Sequence, residues 1–256
     1  MKYSLETLEL FKKLANINPK IIIENIGDHV YVRSRNPSGT VYYTLKTTKE
    51  NFEFPTEKLH FLNFVDFYSS FKVLSNKNST PKIEFKTKED FNYLELSTEE
   101  SKMGIVLDNG ELFRNEEDCG IADLGEYKVV GVTKQTLEKD AWCVERHKRF
   151  KTMVSNITGT NPSQGTIRVS SEESDDPKGA KICLDILNDR QYNSFKEYVP
   201  NTISGESFEF IFTKHIFTDI PDGDYVMTIY ENGGLEMEMV INEDTSLVFQ
   251  SYRIES

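Results

Sequence analysis

The chain has no apolar run approaching the ~20 residues that a membrane-crossing helix needs. Its first eighteen residues, Met1 to Asn18, carry an amphipathic pattern where a secretory leader would place its apolar core. A cytoplasmic protein with no membrane partner is therefore expected. Cysteine is scarce: Cys119, Cys143 and Cys183 are widely scattered and lack C-x-x-C spacing, which speaks against a disulfide framework and for reduced thiols. His29, His60, His147 and His215 stand alone, none at ligand spacing from another His or a Cys, so no metal and no cofactor are expected. The sequence also has no G-x-S-x-G, no glycine-rich phosphate loop ending in Lys-Ser/Thr, no H-E-x-x-H and no recognisable Cys-His arrangement. The expectation is a protein that is not an enzyme. Asp222 and Asp224 form a D-x-D, but Pro221 and Gly223 beside them read as turn chemistry ahead of a strand from Tyr225 to Tyr230. The acidic stretch Glu172, Glu173, Asp175 and Asp176 lacks the alternating ligands and central glycine of a calcium loop and reads as a solvated loop.

What is present is charge and a helix-strand grammar. The chain has 256 residues, 30 Lys and Arg against 42 Asp and Glu, and a net charge of -12, with a mean hydropathy of -0.50. Phosphate binding depends on cations, so the average argues against a nucleic-acid partner unless the cations are concentrated on one surface. At this length two domains or one large β-rich body are possible, and either can bury a core with 38 % hydrophobic residues.

The opening segment predicts a helix with Ser4 as N-cap. Leu5, Leu8, Leu10, Phe11, Leu14 and Ala15 form an apolar arc, and Glu6, Glu9, Lys12 and Lys13 lie on the other side. Short β-rich runs follow (IIIENI, HVYVRSR, TVYYTLKT, LHFLN). A second helix runs from Asn63 to Leu74, with Asn63 as N-cap and a stripe of Phe64, Phe67, Tyr68, Phe71 and Leu74 that reads as core. Strands PKIEFKT, YLELST and MGIVLDN come next. Alternation lapses in the acidic, glycine-containing stretch 112–127, read as a connector between an N-terminal domain 1–111 and a C-terminal domain 128–256. The grammar then restarts: strand KVVGV, a helix from about Thr133 to Lys148, strands TMVSNIT, TIRVSS, AKICLDIL and SFEFIF, and a short helix near Thr213 to Thr218. Element order repeats although the residues do not. Two α+β halves, each with helices on one side of antiparallel sheets, are the predicted architecture.

On the helix Thr133 to Lys148, Leu137, Ala141 and Val144 share a face, with Lys139 and Arg146 opposite and Arg149 beyond. From the residues alone, an ordinary solvated basic face explains these cations equally well. The start of the chain, Met1-Lys2-x-Ser4 with Leu10, Lys12, Ala15, Ile17 and Asn18, resembles the DNA polymerase sliding clamps of tailed phages of the T-even type, within the PCNA-like clamp superfamily. The segment Phe208-Glu-Phe-Ile-Phe and the turn Pro221-Asp-Gly-Asp-Tyr225 are similar to the family's closing elements. The centre, from Glu111 to Glu206, matches weakly. The resemblance implies a homotrimeric ring with sheets outside and helices inside, enclosing duplex DNA without reading its sequence. It also implies a tethered polymerase, an ATP-dependent clamp loader and late transcription factors as partners, and residence in the host cytoplasm. It places Lys12 on the DNA-facing wall; Lys13, Lys72, Lys139, Arg146, Arg149 and Lys214 join it on helix geometry. The family's outer docking pocket for client peptides would fall near Leu112, Phe113, Ile121 and Leu124, residues that otherwise pin the connector to the body. The alternatives are a β-rich phage structural or assembly protein that encircles no DNA, and a β-sandwich hydrolase using scattered Asp and His.

Overall fold

The computed structural model describes residues 5–75, 80–108, 126–133, 142–158, 165–172, 179–187, 195–203 and 205–254. The chain divides into two compact units, the first being Met1–Pro37, Tyr43–Gly120 and Ile241–Leu247, the second Ser38–Tyr42, Ile121–Val240 and Val248–Ser256. Each unit therefore includes a short segment from a distant part of the chain. In the first, Thr47 and Thr245 meet hydroxyl to hydroxyl at 3.0 Å; in the second, the Ser251 hydroxyl donates to the Thr40 carbonyl at 2.9 Å.

The first unit runs α1 (Leu5–Ala15), β1 (Ile21–Ile26), β2 (His29–Arg35), β3 (Val41–Thr48), β4 (Lys58–Phe61), α2 (Phe64–Leu74), β5 (Lys82–Lys88), β6 (Phe91–Ser97) and β7 (Lys102–Val106). The order in space is β4-β1-β2-β3, with a separate antiparallel sheet β5-β6-β7. Leu8, Phe11, Leu14 and Ala15 of α1 are buried, as the apolar arc predicts. Asn63 is extended (φ -147°) and its side-chain oxygen accepts from the Val65 amide at 3.1 Å, so the predicted N-cap forms. Phe54, Phe61, Phe64 and Phe67 lie with ring centroids 5.1 to 5.7 Å apart, mostly edge to face or tilted. The aromatic stripe is core.

The second unit runs β8 (Val129–Val132), α3 (Val144–Thr158), β9 (Thr166–Glu172), β10 (Lys181–Leu187), β11 (Lys196–Pro200), β12 (Glu209–Thr213), α4 (His215–Thr218), β13 (Val226–Tyr230) and most of β14 (Gly234–Asn242) and β15 (Thr245–Tyr252), whose adjoining ends over Ile241–Leu247 belong to the first. One sheet has the order β11-β10-β9-β12, and β15-β14-β13-β8 are neighbours in another. The repeat is now explicit. In both units a helix is followed by four strands, a helix and three strands, and the fourth strand lies beside the first in each (β4-β1-β2-β3 and β12-β9-β10-β11).

Several elements depart from the sequence reading: it lacks β11, β14 and β15, and Thr133, Trp142 and Cys143 of the helix expected over 133–148 are not helical. TMVSNIT is helix, not strand: α3 begins at Val144 and ends at Thr158. His147, Phe150, Val154 and Ile157 recur at three- and four-residue spacing and are all buried, while Trp142, Phe150 and Phe217 pack edge to face at 5.3 to 6.3 Å. Of the helix expected over 133–148, residues 134–141 lie outside the description. Among the described residues no helix is long and apolar enough to cross a membrane.

Candidate nucleic-acid interface

In the first unit, α1 and α2 pack side by side, and their cations gather around one aromatic ring. Lys12 Nζ stands 4.8 Å from the centroid of Tyr68 and Lys72 Nζ 5.9 Å, within the range of a cation-π contact. The Tyr68 hydroxyl donates to Glu9 at 3.2 Å, so α2 holds α1 through the same ring. Lys13 and Lys72 are exposed and Lys12 is half-exposed. Two of these lysines fall in the last turn of α1 and one in the last turn of α2, where the helix dipole favours a positive charge. The result is a pair of lysines, Lys12 and Lys72, over one ring, with Lys13 exposed on α1 and Glu6, Glu9 and Asp66 as exposed acids on the same two helices.

In the second unit the expected cations are differently employed. Arg149 reaches Glu197 of β11 with Nη2 2.5 and 2.6 Å from the two carboxylate oxygens. Arg146 Nη1 is 3.9 Å from the same carboxylate and donates to the Tyr198 carbonyl at 3.1 Å. Glu197 is buried, so this pair of arginines covers a carboxylate that the fold has taken out of water. Lys151 donates to the Ile220 carbonyl at 2.9 Å and faces Asp222 at 3.3 Å. Lys148 is exposed and has no ion-pair partner among the described residues. The solvent side of α3 is Glu145, Lys148, Arg149, Thr152, Ser155 and Asn156, a lightly cationic, hydroxyl-rich face.

Lys214 corrects the sequence reading. It precedes α4, is only 7 % exposed, and its ammonium donates to the Thr158 hydroxyl at 3.1 Å, so it does not reach solvent. Burial holds its pKa below the usual lysine range, opposed by nearby Asp219. Gly165 makes this packing possible: a Cβ there would stand 2.5 Å from Thr158 Cγ2, and its φ of +126° suits glycine. Lys139 and the connector residues Leu112, Phe113, Ile121 and Leu124 lie outside the described residues. Lys148 and Glu197 were missed, and the signal for Lys148 was available in the helical spacing of Phe150, Val154 and Ile157.

The D-x-D is structural. Asp224 accepts from the Val144 amide at 2.7 Å, supplying an acceptor to the first turn of α3, and Asp222 faces Lys151. The Tyr225 hydroxyl donates to the Pro221 carbonyl at 2.7 Å, closing the turn, and burial pushes that phenol well above its ordinary pKa.

No protein-family model matches the chain, and no curated protein matches it in sequence. Solved structures do. The PCNA of A. fulgidus, in a structure with the C-terminal region of FEN-1 bound, superposes with a TM-score of 0.63 at 12 % identity, covering 99 % of this chain and 98 % of that one. The PCNA of Thermococcus kodakaraensis gives 0.61 at 13 %, with 97 % and 96 % covered, and that of Entamoeba histolytica 0.62 at 12 %, with 98 % and 96 % covered. The fold is that of the PCNA-like sliding clamps. The match spans nearly the whole of both chains, so the clamp fold accounts for both units and not for one of them. At 12 to 13 % identity the likeness is one of architecture, and side-chain roles have to be argued from this chain's own residues.

Proposed function

We propose that this protein is a DNA sliding clamp: a non-enzymatic processivity factor that encircles duplex DNA and tethers a DNA polymerase. The observation that carries the reading is the clamp fold along almost the entire chain, supported by Lys12 and Lys72 gathered over Tyr68 and by exposed Lys13 on the same pair of helices. Arg149 and Lys148 of α3 extend the DNA-facing set, and Arg146, its side chain 21 % exposed, adds the charge that Glu197 leaves uncompensated. Such contacts meet phosphates and read no bases, which suits a protein that must move along the duplex. A chain with net charge -12 can do this because only the enclosing wall needs cations, while acids elsewhere keep the duplex off the wrong surface.

In this reading residues 1–111 and 128–256 are two clamp domains joined by the connector 112–127. Three copies close head to tail into a ring, since a heterologous contact closes when the rotation per subunit divides the circle. The N-terminal and C-terminal motif matches favour the T-even phage branch, which adds an ATP-dependent loader and late transcription factors as partners and host cytoplasm as location. Clients dock near Leu112, Phe113, Ile121 and Leu124, where tethering raises their effective concentration at the primer end.

Charge reversal tests the wall. The variant Lys12→Glu, Lys72→Glu, Lys148→Glu is expected to keep its solution mass and ring-shaped particle but lose processive synthesis by the cognate polymerase, with the salt slope of DNA association falling by about one per contact removed. Full processivity in that variant, or a wild-type mass of a monomer with no central hole in micrographs, would sink the proposal.

A further inference from the structure

The sheet β11-β10-β9-β12 buries one face through Ile167, Val169, Ile182, Leu184, Ile186 and Val199, so alternation sends the opposite set of side chains to its other face. There Asp185 of β10 stands in register between Arg168 of β9 and Lys196 of β11. A cleft of about 440 Å³ opens over it, lined by Arg168, Glu172, Asp185, Lys196, Ser207 and Glu209 among others. Asp185 is 8 % exposed, yet its Oδ1 has no hydrogen-bond partner among the described residues, and its Oδ2 is 3.8 Å from Lys196 Nζ. Arg168 faces Glu209 rather than Asp185, with Nε 3.6 Å from Glu209 Oε1, too far for a hydrogen bond, so this buried donor also lacks a hydrogen-bond partner among the described residues. The floor of the cleft therefore holds a carboxylate oxygen that lacks a donor, and buried carboxylate oxygens are ordinarily bonded.

We propose that this cleft receives a basic side chain from a partner protein, an ammonium or guanidinium that donates to Asp185 Oδ1. Three carboxylates (Glu172, Asp185, Glu209) line the cleft against two cations (Arg168, Lys196), so charge favours a cation and disfavours a polyanion. The volume has room for more than a single water: at about 30 Å³ per liquid water, the space also admits an alkyl stem with a charged head. A guanidinium suits the site further because its planar fork can bridge Asp185 and a rim carboxylate. Lys196, at the lip, is the built-in competitor for the same carboxylate. This site is independent of the DNA-facing helices and selects for the opposite charge.

Amide chemical shifts of the full chain, titrated with N-acetyl-arginine amide, N-acetyl-lysine amide and the neutral isostere N-acetyl-citrulline amide, test it. Saturable shifts on Arg168, Ser170, Cys183 and Asp185 are expected with one or both cations, their relative affinities telling arginine from lysine, and none with citrulline. Asp185→Asn should weaken binding at least about tenfold. Lys196→Met, which leaves the buried carboxylate intact and removes its competitor, should strengthen it severalfold and serves as the readout if Asp185→Asn misfolds. Equal binding of citrulline, no saturable shift, or unchanged affinity in Lys196→Met and in a folded Asp185→Asn would overturn the proposal.

Discussion

His147 shows what burial does to a single residue. It is fully enclosed in α3, its ring 5.3 Å from that of Tyr225, and its Nε2 donates to the Phe217 carbonyl at 3.0 Å. Burial, reinforced by the charge of Lys151, brings its pKa down to about 4 against the pull of the Phe217 hydrogen bond and Asp222. The folded state thus prefers the neutral imidazole. Its contribution is whole above the unfolded pKa near 6.5 and is lost as pH falls from there through about 4, a change of about 3 kcal/mol. Denaturant midpoints taken between pH 7.5 and 4.5 should show this decline, and His147→Phe should flatten it. Lys214 makes the complementary point about legibility. Its nearness to a short helix was readable, though it was expected within that helix and stands just before it; its burial depends on Gly165 and Thr158, nearly fifty and more residues away in sequence, which no local pattern reveals. Lys214→Glu is expected to lower stability by a few kcal/mol, by burying an unpaired carboxylate, while Lys214→Met leaves DNA association unchanged; thermal melts and salt-dependent binding separate the two effects.

Among the elements, those with strong periodicity or caps were legible. α1, α2 and most strands fall where the apolar pattern puts them, and Asn63 caps α2 as its residue type suggests. Asn63→Ala should cost about 1 kcal/mol, since the Val65 amide loses its acceptor and Asp66 its partner, as read by urea unfolding. α3 misled because Thr152, Val154, Ile157 and Thr158 are β-branched and favour strands locally. The helix absorbs them: Thr152, Ser155 and Thr158 return their hydroxyls to carbonyls four residues back at 2.8 to 2.9 Å, and the aromatic packing of Phe150 overrides propensity. β11 escaped notice for a different reason. It is a short edge strand with a buried Glu197 and a terminal Pro200, and such inward charges and prolines are devices that protect sheet edges rather than marks of a strand. Glu197→Gln would release Arg146 and Arg149 from their carboxylate. Its expected outcome is tighter, more salt-sensitive DNA association together with a loss of about 1 to 3 kcal/mol of stability, measured by fluorescence anisotropy across a salt series and by unfolding.

At the scale of the molecule, the repeat was visible in the sequence only as one helix before the strands and another after them in each half; the full count of helix, four strands, helix and three strands was not, because the sequence reading lacks β11, β14 and β15 and takes part of α3 as strand. The shared strand order is what makes them alike, and it depends on pairings between distant segments. The charge balance was legible as a total, but its arrangement was not: three lysines gather on α1 and α2, whereas two arginines of α3 spend part of their charge on Glu197. A further consequence lies in Tyr68. A phenol ring held beneath two ammonium groups senses their position, so any polyanion that draws Lys12 and Lys72 away alters the local field at that ring. Selective isotope labelling of tyrosine would turn this side chain into a built-in gauge of occupancy, reporting from inside the molecule without any attached dye.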